Sequence, residues 1–493
     1  MVSVIARDPG TAASTAHDLI VIGGGVYGVA IAHQATRLGL RPLLLERDDF
    51  GGATTWNSLR ILHGGIRSLQ RLDLARFRDM SISQGWFLRN FPEHVVALEC
   101  LMPLYGRGLR RPAAFRAALK MDQLLRQWWG VGRRSSDLPR GNVLDAYETN
   151  RRFPLVQALG LQGGGVWYDA LMRHPQRVVI DWLRWACVGG ATALNRVAAQ
   201  QLLLEHGRVA GVLAQDLVAG TTLTFRAPAV LNCTGPWSEG LGRAFDPTTP
   251  ASFRPTLAFN LLLDRQPIAS CAIAVATPSG SRRTYFIVPW GDQTLVGTYH
   301  DRWTGPPHRP GPSIEQIEQM LLELNAAVPG WNLQSDDVLR VCSGLLPGTT
   351  RAANEGLETN EMLHDHGRTG GPLGLFTVAG VKFTTAPLVA ARVLRAAGFR
   401  SRGSVAEVPR PPARPIPDPA SFRRTLAAEP GEAAEWVRRI VAEESVLSIE
   451  DLLRRRTDWG LDPREERELE RLIRPLLAPV GAAPEALRKA RAG

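Results

Sequence analysis

Three glycines near the start of the chain have the spacing of a phosphate-binding turn. Gly23, Gly25 and Gly28 form the pattern G-x-G-x-x-G, and Glu46 stands roughly 20 residues further along. In such a turn the first glycine permits the tight bend, the second lets the backbone approach a pyrophosphate, and the third lets a helix pack on a strand. A carboxylate at the later position can accept hydrogen bonds from ribose hydroxyls. The spacing therefore predicts a dinucleotide-binding site.

The elements that such a site needs surround the glycines. Residues 19–22 are a continuous apolar run, which is typical of a buried parallel strand. Residues 26–38 have helical composition, and Gly39 stands where helices often end in glycine. A second strand is predicted over 42–45. The order strand, turn, helix and strand predicts an α/β fold with a Rossmann-type domain.

The rest of the chain divides by composition. The β patterning over 250–300 predicts a β-rich substrate domain, and the proline-rich stretch 405–419 predicts a linker to a charged, helical C-terminal domain. Residues 1–16 are expected to be a flexible leader. The predicted domains are a discontinuous nucleotide-binding domain (17–75, 150–245 and 350–405), a substrate or cap domain (76–149 and 246–349) and a C-terminal helical domain (415–493).

Composition excludes several classes of protein. The chain has 493 residues, 44% of them hydrophobic and 21% charged, which suits a folded protein of two or three domains. No apolar run approaches the ~20 residues of a membrane-spanning helix. The five cysteines are scattered without paired spacing, so we expect no disulfide framework, no metal site and a reducing, cytoplasmic location.

Much of the net charge of +11 lies in one segment. Nine basic and two acidic residues lie between Arg107 and Arg140, and because the excess is local we expect no nucleic-acid partner. An apolar helical face with tryptophan and a basic rim is typical of a membrane surface. A helix packed on the protein with solvated charges explains the same pattern. The apolar face consists of Ala118, Met121, Leu124, Leu125 and Trp128.

Residues 54–70 resemble a known family. Their sequence TTWNSLRILHGGIRSLQ is similar to the TSSxSSKLIHGGLRYLE stretch of FAD-dependent glycerol-3-phosphate dehydrogenases, which are D-amino-acid-oxidase-like flavoenzymes. The resemblance implies an FAD-dependent oxidoreductase that passes a hydride to flavin N5, with quinone or oxygen as electron acceptor. It also implies peripheral contact of residues 107–140 with the inner face of the membrane. Further similar segments, within about residues 17–460, are 166–169 with Arg177, 232–237, 289–290 with 297–298, 380–385 and 448–457.

The resemblance assigns residues to the cofactor. Hydroxyls and amides after the second strand would face the pyrophosphate and the flavin edge, and glycine backbone would lie beside the isoalloxazine ring. The residues implied for FAD binding are Gly23, Gly25, Gly28, Glu46, Thr54, Thr55, Ser58, Gly64, Val197, Thr234, Gly235, Gly380, Lys382, Phe383 and Thr384.

Three residues are candidates for the chemistry. His63 could act as the base because imidazole titrates near neutral pH. Arg67 could hold an anionic group or stabilise an alkoxide, and Lys382 could stabilise negative charge on the reduced flavin. Each has a structural alternative: a hydrogen-bonding histidine, an ion-paired arginine and a surface lysine at a helix start. Further candidates for the lining of the substrate pocket are Tyr285, His300 and Arg283.

The chain departs from the family where a substrate phosphate would bind. Leu346 stands at the arginine of the family's SGxRPL motif, and Pro387 at the arginine of its TTYR motif. Arg60 replaces a lysine and Ser68 a tyrosine. Because leucine and proline side chains offer no donor to a phosphate, the expected substrate is an altered one, a polar alcohol or polyol. Amine or amino-acid oxidation, and flavin binding without turnover, remain alternatives.

Overall fold

The computed structural model describes residues 4–106, 108–130, 138–249, 254–277, 283–307, 310–348, 361–401 and 408–477. Within these ranges the strands form three sheets. The strands are β1 (Leu19–Ile22), β2 (Pro42–Leu45), β3 (Ile61–Leu62), β4 (Val95–Leu104), β5 (Asn142–Leu144), β6 (Gly163–Met172), β7 (Thr192–Leu194), β8 (Val197–Glu205), β9 (Arg208–Asp216), β10 (Thr222–Arg226), β11 (Val230–Asn232), β12 (Arg254–Leu263), β13 (Ala272–Ala276), β14 (Thr284–Trp290), β15 (Gln293–Arg302), β16 (Val338–Gly348), β17 (Met362–Asp365) and β18 (Leu375–Ala379).

Helices cover the sheets and form the C-terminal unit. They are α1 (Pro9–Ser14), α2 (Val26–Thr36), α3 (Ile66–Gln70), α4 (Leu74–Asn90), α5 (Pro112–Trp128), α6 (Ala146–Arg152), α7 (Pro175–Val188), α8 (Ser238–Phe245), α9 (Ile314–Ala327), α10 (Ala386–Ala396), α11 (Pro419–Ala428), α12 (Pro430–Glu443) and α13 (Pro463–Leu477). In the described part of the chain, none of the helices combines the length and the apolar composition that crossing a bilayer requires.

The six-stranded sheet has the order β17-β18-β11-β1-β2-β7. Strand β1 pairs in parallel with β2 and β11, and β18 extends the parallel ladder. All residues of β1 and β2 are buried, as expected for a parallel sheet that is covered on both faces. Helices α2, α7 and α10 pack on one face, and the antiparallel sheet β10-β9-β8 packs on the other. The predicted Rossmann-type layer is confirmed.

The nine-stranded sheet forms the β-rich layer. Its order is β16-β12-β15-β14-β13-β4-β6-β3, and β5 pairs with β6. Helix α9 buries Met320, Leu321 and Leu324 against one face of this sheet. Strand β6 lies in residues that the sequence-based domain limits assign to the nucleotide-binding domain. By sheet membership it belongs to the β-rich layer, since it pairs with β4 over its whole length.

The two ends of the described chain meet. Helices α11, α12 and α13 and a π-helical turn at Asp451–Arg456 share a separate hydrophobic core. Ile5 is buried, and its backbone N–H donates to the carbonyl oxygen of Glu443 at 2.8 Å. The prediction of a flexible leader was therefore wrong for residues 4–16. The Asp8 side chain caps α1, and Ile5 is buried in the core of the nucleotide-binding layer, while its hydrogen bond to Glu443 joins the segment to the C-terminal unit.

Candidate functional site

The glycine-rich turn joins β1 to α2, and two of its three glycines leave no room for a side chain. A Cβ on Gly23, whose φ is +106°, would lie 2.6 Å from the carbonyl oxygen of Cys233. A Cβ on Gly28 would collide with the carbonyl of Gly23. At Gly25, by contrast, a Cβ would meet only the Thr55 hydroxyl, at 3.3 Å. Gly25 is thus the glycine of the turn at which backbone, and no side chain, faces the N-terminus of α2, where backbone N–H groups attract phosphate.

Glu46 lies at the far end of this cleft. Its carboxylate accepts hydrogen bonds from the backbone N–H of Gly24 at 2.6 Å and of Asp48 at 2.7 Å. Burial raises the pKa of Glu46 to about 7. The backbone N–H of Val197 donates to the Glu46 carbonyl at 2.9 Å, which places Val197 at the same end. Hydroxyl donors that reach this carboxylate would favour its ionised form.

The loop after β2 brings hydroxyls to the turn. The Thr55 hydroxyl accepts a hydrogen bond from Val26 N–H, the first of α2, at 3.2 Å. The Thr54 hydroxyl donates to the carbonyl of Leu345 at 3.0 Å, which holds the loop on β16. The Ser58 hydroxyl oxygen is buried and has no hydrogen-bond partner among the described residues. A buried hydroxyl without a partner is costly, so this oxygen suits contact with a ligand.

Two distant segments close the same cleft. Thr234 lies against Gly23, and its hydroxyl donates to Asn232 at 2.7 Å, while Gly235 follows with a φ of +58°. The turn over residues 380–385 is fixed to α2, since the Tyr27 hydroxyl accepts from Lys382 N–H at 3.1 Å and donates to its carbonyl at 2.7 Å.

Packing against the protein explains the residue types of this second turn. A Cβ on Gly380 would collide with the Tyr27 ring, so packing of this ring, and not of a flavin, explains the glycine. The ring of Phe383 packs on Phe87 with centroids 5.7 Å apart, and Thr384 is buried.

Lys382 is a half-buried cation. Burial lowers the pKa of Lys382 to about 8, and the positive charges of Arg76 and Arg67 add to the effect. Its Nζ lies 3.7 Å from the sulfur of Met80. The lysine is therefore not the solvated surface residue of the structural alternative, and its ammonium titrates close to neutral pH.

His63 is paired with a carboxylate that sequence reasoning did not single out. Its Nδ1 lies 2.9 Å from an oxygen of the buried Asp169. Burial raises the pKa of Asp169, but the charge and hydrogen bond of His63 and the N–H of Gly64 together lower it below its ordinary value. A third of the His63 side chain is exposed. Asp169 closes the segment 166–169, which resembles the family, and its acidic type beside a candidate base was the available signal.

Gly64 is confined by the protein itself. A Cβ there would collide with Arg126 and lie 2.8 Å from the amide of Gln84. Its N–H donates to Asp169 at 2.7 Å, so this glycine fixes the carboxylate that binds His63.

Arg67, on α3, is exposed on one side and surrounded by protein on the others. This desolvation lowers the pKa of Arg67, and the charges of Arg71 and Arg110 add to the effect. No carboxylate of the described ranges forms an ion pair with it. Arg67 is also close enough to Lys382 to lower the pKa of that lysine. The side chain is an available cation, unlike the ion-paired arginine of the structural alternative.

Other candidates are engaged elsewhere. Arg60 is buried in a salt bridge with Asp458, so it is not free for a substrate. Tyr285 donates to Glu323 at 2.6 Å and Arg283 pairs with the same carboxylate at 2.8 Å. Arg283 also donates to the carbonyl of His300 at 3.1 Å. The structure thus places these residues in an internal network of the substrate domain and does not bring them to the pair of His63 and Asp169.

The fold and this cleft define a dinucleotide-binding oxidoreductase. The chain belongs to the family described as DAO, FAD dependent oxidoreductase, whose model matches residues 18–396. The predicted family and cofactor are confirmed, and the cofactor is FAD.

Within the family, the chain is similar to enzymes that are named for glycerol 3-phosphate. The chain is 29% identical to glycerol-3-phosphate dehydrogenase of Synechocystis sp. over 384 residues, which are 76% of this chain and 68% of the relative. It is 32% identical to alpha-glycerophosphate oxidase of Streptococcus pyogenes over 335 residues, 67% of this chain, and spans only 54% of that relative. The crystal structure of glycerol-3-phosphate dehydrogenase from Bacillus halodurans complexed with FAD shares the fold, with a TM-score of 0.71 and 21% sequence identity. The superposition covers 96% of this chain and 92% of that one.

The residues present fit FAD. The N-terminus of α2 carries no side chain at Gly25 that would exclude a pyrophosphate. The buried Ser58 hydroxyl lacks a partner within the described ranges, and the Glu46 carboxylate, bound to Gly24 N–H of the turn, would accept hydrogen bonds from ribose hydroxyls. The protein is an FAD-dependent oxidoreductase of the DAO family and is similar to glycerol-3-phosphate dehydrogenases and alpha-glycerophosphate oxidases.

Proposed function

We propose that this enzyme oxidises a polar alcohol or polyol at a carbon that bears a hydroxyl group. When bound, FAD supplies the hydride acceptor, at flavin N5. The observation that carries the proposal is the contact between His63 and Asp169, because alcohol oxidation needs a base that takes the hydroxyl proton.

His63 is arranged to act as that base. With Nδ1–H donating to Asp169, the ring exists as the tautomer whose Nε2 carries a lone pair. This nitrogen would accept the substrate proton. The Asp169 carboxylate, whose pKa lies below its ordinary value, stays ionised and would stabilise the imidazolium that forms.

Arg67 would hold negative charge on the substrate, either an alkoxide or an anionic substituent. Its guanidinium has no ion-pair partner within the described ranges, and Arg71 and Arg110 make its surroundings more positive. Lys382 would place a further positive charge beside the reduced cofactor, where it favours hydride acceptance.

Glycerol 3-phosphate is proposed to be a poor substrate. Leu345 packs in the core, so by strand alternation Leu346 projects from the opposite face of β16, which runs beside Thr54. Pro387 occupies the first turn of α10. Each missing charge-assisted contact would weaken phosphate binding by roughly 1.5–3 kcal/mol.

The proposed electron acceptor is quinone or oxygen, and α5 is the proposed membrane contact on the cytoplasmic side. Met121, Leu124 and Trp128 are exposed on this basic helix, while Phe115 on its inner side is buried. Arg107 and residues 131–137 of the basic segment lie outside the described residues.

An anaerobic titration tests the proposal. The yellow enzyme is mixed with glycerol, larger polyols, their phosphates, glycerol 3-phosphate and amines, and the flavin band is followed. Bleaching by a polyol or polyol phosphate at lower concentration than by glycerol 3-phosphate is the expected result. Full bleaching of the flavin band at micromolar glycerol 3-phosphate would overturn the proposal that the substrate is an altered one. Bleaching by amines alone would establish an amine oxidase.

A further inference from the structure

The loop between Glu46 and Arg60 carries three hydroxyls of the cofactor cleft and has little regular structure. Of its residues, Thr54, Thr55 and Ser58 are the hydroxyl-bearing ones discussed above. An irregular loop of this kind has to be held in place before it can bind a ligand without a large loss of conformational entropy. Hydrogen bonds to Leu345, Asn195 and Asn260 hold parts of it. Further contacts come from residues 451–458, which we call the C-terminal clamp.

The clamp grips the start of the loop by an ion pair. Arg456 binds Asp49 through both guanidinium nitrogens, at 2.7 and 2.9 Å, and both side chains are buried. Asp49 also accepts a hydrogen bond from Asn195 at 2.9 Å. Although burial opposes ionisation, the charge of Arg456 lowers the pKa of Asp49 below its ordinary value. The aspartate therefore stays charged and fixed three residues after Glu46.

Arg455 holds the middle of the loop. Its Nη2 donates to the carbonyl of Gly52 at 3.3 Å, and its guanidinium lies over the ring of Trp56, 5.1 Å from the centroid. Arg454 lies over the same ring at 5.7 Å. The Nε and Nη1 atoms of Arg455 are buried and find no hydrogen-bond partner in the described ranges.

The end of the loop is held as well. Arg60, two residues after Ser58, forms a buried salt bridge with Asp458, with one N–O distance of 2.9 Å. The clamp is itself tied to the nucleotide-binding layer, because Arg196 pairs with Asp451 at 2.7 Å. The loop is thus fixed at its start, middle and end by one short segment of the C-terminal unit.

We propose that the C-terminal clamp is part of the FAD site, and that Arg455 is a positioning residue for the cofactor. Two unpaired donors on a buried guanidinium cost free energy of folding, so a contribution to stability alone does not explain an arginine at this position. Besides an ion pair with Glu450 at 3.9 Å, its contacts with Gly52 and Trp56 both lie between Glu46 and Ser58 and preorganise the loop. By thermodynamic linkage, bound FAD in turn strengthens the docking of the C-terminal unit.

The test compares cofactor retention with folding in the full-length holoenzyme. Arg455→Met keeps the length of the side chain but removes its donors, and Arg455→Lys restores the charge. The matched control is Arg438→Met, which removes an exposed arginine of α12 that pairs only with Glu435 among the described residues. FAD retained after dialysis is measured by absorbance. Release on heating is followed by flavin fluorescence, and unfolding by far-UV circular dichroism.

For Arg455→Met we expect about tenfold weaker retention of FAD and release of the flavin at a lower temperature than the loss of helix. Arg455→Lys should recover part of the retention, and Arg438→Met should match the wild type. Wild-type retention in Arg455→Met would overturn the proposal. So would release and unfolding that shift together, since that result assigns Arg455 to general stability. If Arg455→Met does not fold, FAD release and unfolding are compared in Arg455→Lys instead, and the same two results would overturn the proposal.

Discussion

In the proposed mechanism, the carboxylate of Asp169 determines which nitrogen of His63 accepts the substrate proton. It binds Nδ1 and is itself held by the N–H of Gly64 and, at 3.3 Å, by the indole N–H of Trp167. A histidine that is fixed in this way has one tautomer and one orientation. The proposed role of His63 as base then depends on Asp169, which would not itself contact the substrate.

Asp169→Asn should therefore slow flavin reduction while leaving FAD in place. The amide can donate to Nδ1, which would favour the tautomer with a proton on Nε2 and remove the base. We expect the rate of anaerobic reduction by the best substrate to fall by about 10²- to 10⁴-fold. Asp418→Asn, which keeps an N-cap on α11, is the control. A rate within a few-fold of the wild type would remove His63 from the role of base.

Lys382 should make the flavin sensitive to pH. Because burial lowers its pKa to about 8, the ammonium is present below pH 8 and lost above it. Lys382→Met should weaken the sulfite adduct roughly tenfold at pH 7 and lower the reduction potential. The difference between wild type and variant should shrink as the pH rises from 7 to 9. A constant difference over this range would show that the lysine does not titrate there.

For single residues, the sequence predicted which residue types belong to the site, but it did not predict their hydrogen-bond partners. The glycine spacing identified Gly23 and Gly28 from their positions alone, because the constraint is local. The partner of His63 lies 106 positions along the chain, and that of Gly52 lies 403 positions away. Such pairs depend on how sheets and helices assemble, and a single sequence carries no direct signal for them.

At the scale of elements, the glycines of the turn between β1 and α2 have different roles: one serves cofactor binding and another serves folding. A Cβ on Gly25 would press only on the Thr55 hydroxyl, at 3.3 Å, whereas a Cβ on Gly28 would collide with the backbone of Gly23. Gly25→Val should fold but purify with less than a tenth of its FAD, because the side chain blocks the approach of the pyrophosphate to the helix N-terminus.

Gly28→Ala should instead fail to fold or melt far below the wild type, because its Cβ would have to displace a carbonyl of the same turn. The ratio of absorbance at 450 and 280 nm and thermal melts by circular dichroism distinguish the two outcomes. A yellow Gly25→Val protein at full occupancy would contradict the assignment of this turn to the cofactor.

Local signals located the elements well and long-range pairing corrected their lengths. The run 19–22 coincides with β1, and the helix predicted over 26–38 is α2 at Val26–Thr36. The β patterning predicted over 250–300 extends to Arg302 in the structure, since β15 pairs with β14 and also with β12. Pairing with distant strands extends a strand beyond the residues whose own composition predicts it.

At the scale of the whole molecule, the basic helix α5 presents an apolar surface to the outside. Leu124 is 65% and Trp128 80% exposed. If this surface meets anionic lipid, Leu124→Gln with Trp128→Gln should reduce co-sedimentation with vesicles of phosphatidylcholine and phosphatidylglycerol by tenfold or more.

Leu159→Gln, at another exposed leucine, is the matched control and should bind like the wild type. A wild-type protein that stays in the supernatant would show that the exposed face of α5 serves another purpose.

The contact between Ile5 and Glu443 bears on when the protein matures. A ribosome that adds about 5–20 residues per second needs ~20–90 s to pass from one of these residues to the other. During that time the first strand, turn and helix exist without β18, without the 451–458 segment and without the partner of Ile5. The nascent nucleotide-binding layer is thus incomplete for most of translation. We expect FAD to be incorporated after synthesis, and chains truncated before residue 443 to be substrates for chaperones and proteases rather than flavoproteins.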